Sequence, residues 1–168
     1  LIRFDNNYYS VPDMWAGRNL SVKAYVDRVE IYGQRQLVAT HPRCHKKGEE
    51  IYDLDHYLDT LTKKPGALEH AKPFQKANLP ATYQQYLQEL KRRHPRPQRE
   101  FVHMLLLHRT VGWDTLTRAL GEAYSKETYH LEGVRNITEK LSGKHIITTP
   151  LREGKYPHLE TYKVLKPK

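Results

Sequence analysis

His41, Cys44 and His45 lie within five residues and offer two imidazoles and a thiol, soft ligands of the kind that hold zinc. A closed zinc site needs four ligands, and no second Cys/His pair stands at a zinc-like spacing. The triplet is read as a polar strand end carrying an incidental cysteine, and no metal ligand is assigned. Asp53, Asp55 and Asp59 put three carboxylates into seven residues. Two-metal chemistry needs carboxylates that converge from separate elements. Acids clustered where a helix begins are better explained by capping and by the helix dipole. No catalytic residue is assigned, and these residues are expected not to form an enzyme by themselves.

The cations carry more. Arg43, Lys46 and Lys47, with Lys23, Arg28 and Arg35, form one basic set in the first 48 residues. Long cationic side chains on an exposed face contact phosphates and position DNA without reading its sequence. Lys91, Arg92 and Arg93, followed by His94, Arg96 and Arg99, are the densest block. It has two readings: a phosphate grip, or a helix C-terminus that gains from positive charge. Trp113 opens an amphipathic stripe and is read as core rather than as a base-stacking platform. Tyr156 and Tyr162, among prolines and lysines near the C-terminus, are candidates for docking on a partner.

The charge is uneven. Of the 168 residues, 28 are Lys or Arg and 19 are Asp or Glu, a formal net charge of +9. Residues 1–48 carry 8 basic against 4 acidic residues, and residues 81–110 carry 6 against 2. Basic blocks separated by neutral stretches favour a polyanionic partner, first of all nucleic acid. One cysteine excludes an intrachain disulfide and suits a reducing compartment. No apolar run approaches the roughly 20 residues of a membrane span. The chain opens on Leu1 and reads as a piece of a longer protein.

The elements that must position these groups follow from periodicity. Ile2 and Phe4 alternate with polar neighbours, Asn6-Asn7 offers a turn, and Tyr8 to Val11 ends at Pro12. Leu20, Val22, Ala24 and Val26 share a face. Val29 and Ile31 lead to a Gly33-Gln34 turn, and Leu37 and Ala39 continue the alternation. Short strands of period two with turn signals between them predict an antiparallel sheet, and about five such strands can bury their apolar face only by curling into a small barrel or by packing on something else. After a polar break at 43–50 the period becomes helical: Leu54, Tyr57, Leu58 and Leu61; then Tyr83, Tyr86, Leu87 and Leu90; Phe101 to Leu107; Trp113, Leu116, Leu120 and Ala123; Leu131, Val134, Ile137 and Leu141. The expected class is α+β, β then α: a small antiparallel β-barrel over 1–48, a helical linker over 49–78, an α-helical hairpin or bundle domain over 79–143, and an extended tail over 144–168. The helix pair at 113–141 has too long a link and too neutral a second helix for a helix-turn-helix.

Particular runs carry a resemblance. Tyr8-Tyr9-Ser10-Val11-Pro12, Gly17-Arg18, Val22 to Tyr32, Leu37-Val38-Ala39-Thr40-His41-Pro42-Arg43, Asp55-His56-Tyr57 and Lys63-Lys64-Pro65-Gly66-Ala67-Leu68 resemble the region that follows the catalytic domain in IstA-type insertion-sequence transposases. These are DDE recombinases that work with an AAA+ helper ATPase and are distantly similar to the phage Mu transposase. The resemblance covers residues 1–74 specifically and 75–143 only in helical order. It implies a non-catalytic region that binds duplex DNA, at the transposon end or target, and supports assembly of the transposition complex. It also implies that catalytic carboxylates and their magnesium belong upstream, with no cofactor here. The helper ATPase and other transposase protomers are the implied protein partners, and the bacterial cytoplasm, at the nucleoid, the implied location. The alternative is a protein-interaction module that recruits the helper or mediates oligomerisation. A self-contained nuclease lacks its acidic triad, and a repressor lacks its recognition helix.

Overall fold

The computed structural model describes residues 1–143. The expected tail, with Tyr156 and Tyr162, lies outside the described residues. The chain divides into two compact units, one spanning Leu1–Leu79 and one beginning at Pro80. The helical segment 49–78 belongs to the first.

In the first unit, β1 (Ile2–Phe4) and β2 (Asn7–Tyr9) form a hairpin. Its turn residues are Asp5 and Asn6, both left-handed at φ 49° and 59°. A type I′ hairpin turn needs two such residues, and Asp and Asn adopt this conformation more readily than most. The turn therefore falls one residue before the expected Asn6-Asn7, and Asn7 enters the strand. A 3-10 turn at Asp13–Trp15 precedes the meander β3 (Ser21–Ala24), β4 (Arg28–Gly33) and β5 (Gln36–Pro42). The β4–β5 turn uses Gln34 and Arg35, at φ 51° and 65°. This is again one residue off the expected pair, because Gly33 is needed in the strand. A Cβ on Gly33 would stand 2.3 Å from the Trp15 indole, so glycine is what lets the ring cover β4.

Ile31 pairs with Ala39, but Tyr32 pairs with Leu37, which leaves Val38 as the extra residue of a bulge. Leu37 is thereby turned out to solvent instead of sharing the inner face with Ala39. Val26, expected on the same face as Val22, is 84% exposed. A two-residue strand, β6 (Glu50–Ile51), arises inside and just beyond the polar break and pairs in parallel with β2.

The expected closed barrel is not found among the described residues. Two three-stranded sheets form instead, ordered β1-β2-β6 and β3-β4-β5. A barrel requires every strand to be paired on both edges. The pairing partners of β2 are β1 and β6, so β5 has no edge of β2 to join. The two sheets share one apolar cluster of Tyr9, Val11, Val29, Ile31 and Ala39, flanked by Ile2, Phe4, Trp15, Leu20, Val22, Val38 and Ile51. Where a ladder would close the barrel, a side chain reaches across: His41 on β5 places Nε2 2.7 Å from the Ser10 carbonyl.

The unit continues with α1 (Asp55–Lys63), a 3-10 turn at Pro65–His70 and α2 (Lys72–Lys76). The N-cap of α1 is Leu54, without a side-chain cap, so the expected capping by the acidic cluster is not seen. Asp55 stands in the first turn, and the Asp53 carboxylate accepts the Asp55 amide at 2.9 Å just ahead of the helix. Leu54, Leu58, Leu61, Leu68 and Phe74 are buried.

The second unit is helical: α3 (Ala81–Arg93), α4 (Pro97–Leu106), α5 (His108–Val111), α6 (Trp113–Ser125) and α7 (Leu131–Ser142). Pro97 stands in the first turn of α4, where its missing N–H costs nothing. Helix α3 packs on α4 and α6, and α7 on the same two. The stripes Tyr83, Tyr86, Leu87, Leu90 and Leu116, Ala119, Leu120, Ala123 are fully buried against Phe101, Met104 and Leu105. Polar contacts tie the ends. The Tyr86 hydroxyl donates to the Thr128 carbonyl at 2.6 Å, and Glu100 accepts the Leu131 amide at 2.6 Å. Gly143, at φ 63°, ends α7.

Candidate nucleic-acid interface

The segment joining β5 to β6 presents Arg43, Cys44, His45, Lys46 and Lys47. Such a loop would ordinarily be mobile, since it makes no ladder. Here it is pinned from beneath by Asn7, which is fully buried. The Asn7 carboxamide donates to the Cys44 carbonyl at 2.8 Å and to the Lys46 carbonyl at 2.7 Å, and accepts the Glu49 amide at 3.0 Å. The Tyr9 hydroxyl accepts the Cys44 amide at 3.1 Å. Backbone bonds from Tyr8 to Glu49 and from Gly48 to Asn6 close the far end. Lys46 and Lys47 are exposed on this fixed backbone, and no ion pair among the described residues involves either. A shallow depression of about 590 Å³ lies beside them, lined by Cys44, His45, Lys46, Glu49, Glu50 and Ile51.

The same loop meets the β3–β4 connection. Arg43 donates from its guanidinium to the Tyr25 carbonyl at 2.9 Å and to Asp5 at 3.3 Å, and its amide donates to the Asp27 carbonyl. The His45 ring donates to the Val26 carbonyl at 3.2 Å. Arg43 is thus a structural brace as much as a free cation. The remaining sequence-predicted cations divide. Arg35 is exposed at the β4–β5 turn. Lys23 lies over the Tyr32 ring at 4.6 Å, and Arg28 over Tyr25 at 4.0 Å. Arg28 also pairs with Glu30 at 2.9 Å, and Tyr32 donates to the same carboxylate at 2.8 Å. These two hydrogen bonds hold the Glu30 carboxyl below its ordinary range. This outer sheet face is therefore a self-paired network, whereas Lys46 and Lys47 on the loop and Arg35 at the turn stand exposed.

The block in the second unit is held differently. Arg92 and Arg93 both fold back on Glu89, at 2.6 and 3.4 Å, and Arg93 also covers the Tyr129 ring at 4.8 Å. Lys91 is half-buried in the same last turn of α3. Three basic residues in that turn satisfy the helix dipole. Trp113 is half-buried, with its ring stacked on His108 at 3.9 Å between centroids and 6° between planes, so that one face is already taken.

Sequence reasoning missed a buried polar cluster in the first unit. Ser10 is fully buried and His41 nearly so. A carbonyl only accepts, so the His41 proton sits on Nε2, facing Ser10. The Ser10 hydroxyl oxygen accepts the Asp53 amide at 2.8 Å and lies 2.8 Å from His56 Nδ1. The His56 Nε2 is 3.9 Å from Asp53, and the two imidazoles meet edge to face at 5.6 Å. Serine, histidine and aspartate are the residue types of a hydrolytic triad. Here the hydroxyl is sealed from solvent and already engaged, so the cluster joins β2, β5 and α1 rather than attacking a substrate. Burial lowers the basicity of both imidazoles. Among the described residues no group of three or more His, Cys, Asp or Glu gathers to hold a metal. No helix of the described residues is long and apolar enough to cross a membrane. The one signal that pointed to Asn7 was its type: asparagine is depleted in strands, so a buried one at a strand start has hydrogen-bonding work to do.

Residues 1–53 match the family of the Mu transposase C-terminal domain. The chain is 37% identical over 119 residues to a transposase for insertion sequences IS1326/IS1353 from Pseudomonas aeruginosa, covering 67% of this chain and 23% of that protein. The figures are the same for its counterpart from Shigella flexneri. Identity to a transposase of Aminobacter aminovorans is 40% over 115 residues, covering 64% of this chain and 22% of that one. The chain thus spans less than a quarter of the length of the curated relatives it matches. No solved structure matches it.

Proposed function

We propose that this chain, whose matches are those of a C-terminal region of an insertion-sequence transposase, serves transposition by holding duplex DNA rather than by chemistry. The supporting observation is the pinned loop, which exposes Lys46 and Lys47 without intramolecular partners among the described residues while its backbone is already ordered. Phosphate contacts of this kind release counterions and carry no sequence preference. On this reading the metal-dependent steps of a DDE transposase belong to a domain outside these residues. The second unit, in which Arg92 and Arg93 share Glu89 and the core is well packed, is assigned to assembly, through other protomers or an AAA+ helper ATPase. The setting is the bacterial cytoplasm, at the nucleoid.

A fluorescence titration of the 168-residue chain against short duplexes at several salt concentrations tests the DNA assignment. Affinity should fall linearly on logarithmic axes with a slope of roughly −0.9 per phosphate engaged. Two unrelated duplex sequences should bind within a few-fold of each other. Absence of binding at low salt, or a slope near zero, overturns the assignment.

A further inference from the structure

A side chain that never touches DNA can still set the strength of a phosphate grip, by deciding whether the gripping loop is ordered beforehand. Asn7 is placed to do this. Its carboxamide has two N–H donors and a carbonyl acceptor, and the loop consumes all three functions at once: two carbonyls, of Cys44 and Lys46, and one amide, of Glu49. The group is fully buried, so no water competes. The bonded partners lie 37 to 42 residues away, so the contact is tertiary and not a local turn. Other side chains do not fit the same three partners. Aspartate only accepts and would set a charge against two carbonyl oxygens. Serine has one donor, and leucine has none.

Resting on the reading that the loop grips duplex phosphate, we infer that Asn7 is a positioning residue for DNA binding. It holds the backbone of residues 44–49 in the bound shape, so that Lys46 and Lys47 meet phosphates with the ordering cost of the loop already met in folding. The expectation is specific. Ordering a loose loop at the moment of binding weakens affinity, yet the two lysines can still reach their phosphates. Loss of Asn7 should therefore lower affinity and leave the salt slope intact. Loss of the lysines should lower both.

The test uses the whole chain with K46A/K47A, N7A, N7D and their combinations, each checked for folding by circular dichroism and thermal unfolding, against one duplex across a salt series. The K46A/K47A slope should shrink by about 1.8, two phosphates at roughly 0.9 each. N7A and N7D should bind about five- to tenfold more weakly at moderate salt, the scale of one or two immobilised groups, with the parental slope. In the K46A/K47A background, Asn7 replacement should change affinity less than twofold. An additive effect in that background, or an unchanged affinity in folded N7A, overturns the inference. If both Asn7 variants unfold, amide exchange on the unaltered chain decides. The Glu49 amide, bonded to the Asn7 side-chain Oδ1, should exchange far more slowly than an unstructured peptide, and exchange at the peptide rate overturns it. If the parent chain binds no duplex, the reading of the loop fails first. If the parent and the lysine variant behave as expected and Asn7 does not, only this inference fails.

Discussion

Lys46 and Lys47 stand on a loop fixed by neutral amide contacts, whereas Arg92 and Arg93 are turned back on Glu89 of their own helix. In sequence the two basic blocks look alike, and the second is the denser. The difference is in what each charge meets. A cation already paired on the surface must break that contact, or share it, before a phosphate gains much. A cation on an ordered and unpaired loop has nothing to give up. Charge density along a chain is therefore a poor guide to a phosphate site unless the local carboxylates are counted on the folded helix or loop.

The units also differ in how they hold together, and the sharpest way to test this is one substitution made in each. The second unit buries Leu90 completely among aromatic and aliphatic neighbours, while Leu20 in the first is only half-buried at the edge of its cluster. Leu90→Ala should destabilise by about 2–5 kcal/mol, transfer and cavity together. Leu20→Ala should cost about 1 kcal/mol, in proportion to its partial burial. Chemical denaturation measures both. Equal costs would mean that the small sheets are packed as tightly as the helices.

Acid sharpens the comparison further. Burial lowers the basicity of His41 and His56 in the first unit, and of His103 in the second, where Arg99 and Arg135 act in the same direction. For a base whose folded pKa lies below its unfolded value of about 6.5, the unfolded chain binds more protons. Stability is then fully present above that pH and is lost as the pH falls below it. The loss should be steeper in the first unit, where two such imidazoles face each other. Imidazole proton resonances followed from neutral to acid pH should show His41 and His56 titrating below the ordinary range. Titration at or above it would remove the acid sensitivity.

Much of the fold is legible in the sequence. The helical stripes, and an acid in the first turn of α1, follow from spacing and residue type alone. Turn positions came out one residue off in both hairpins, because the choice between neighbouring left-handed candidates is made at a distance. Asn7 is wanted by the loop at 44–49, and Gly33 by the Trp15 ring. The barrel was not legible correctly for the same reason. Its closure is pre-empted by β6, two residues whose pairing with β2 no local pattern announces. The candidate site was half visible. Lys46 and Lys47 are marked by charge, but the asparagine beneath them is marked only by being an unusual residue in a strand, and the pairing of Arg92 and Arg93 depends on a helical turn that brings Glu89 alongside.

One measurement bears most directly on the contrast between the two blocks: the salt dependence of duplex binding by K46A/K47A and by R92A/R93A, side by side in the whole chain. The account predicts that the first pair lowers the slope by about 1.8 and the second by less than about 0.5, since two phosphate contacts are lost in one case and mainly intramolecular pairs in the other. Equal losses, or a larger loss from Arg92 and Arg93, would contradict it.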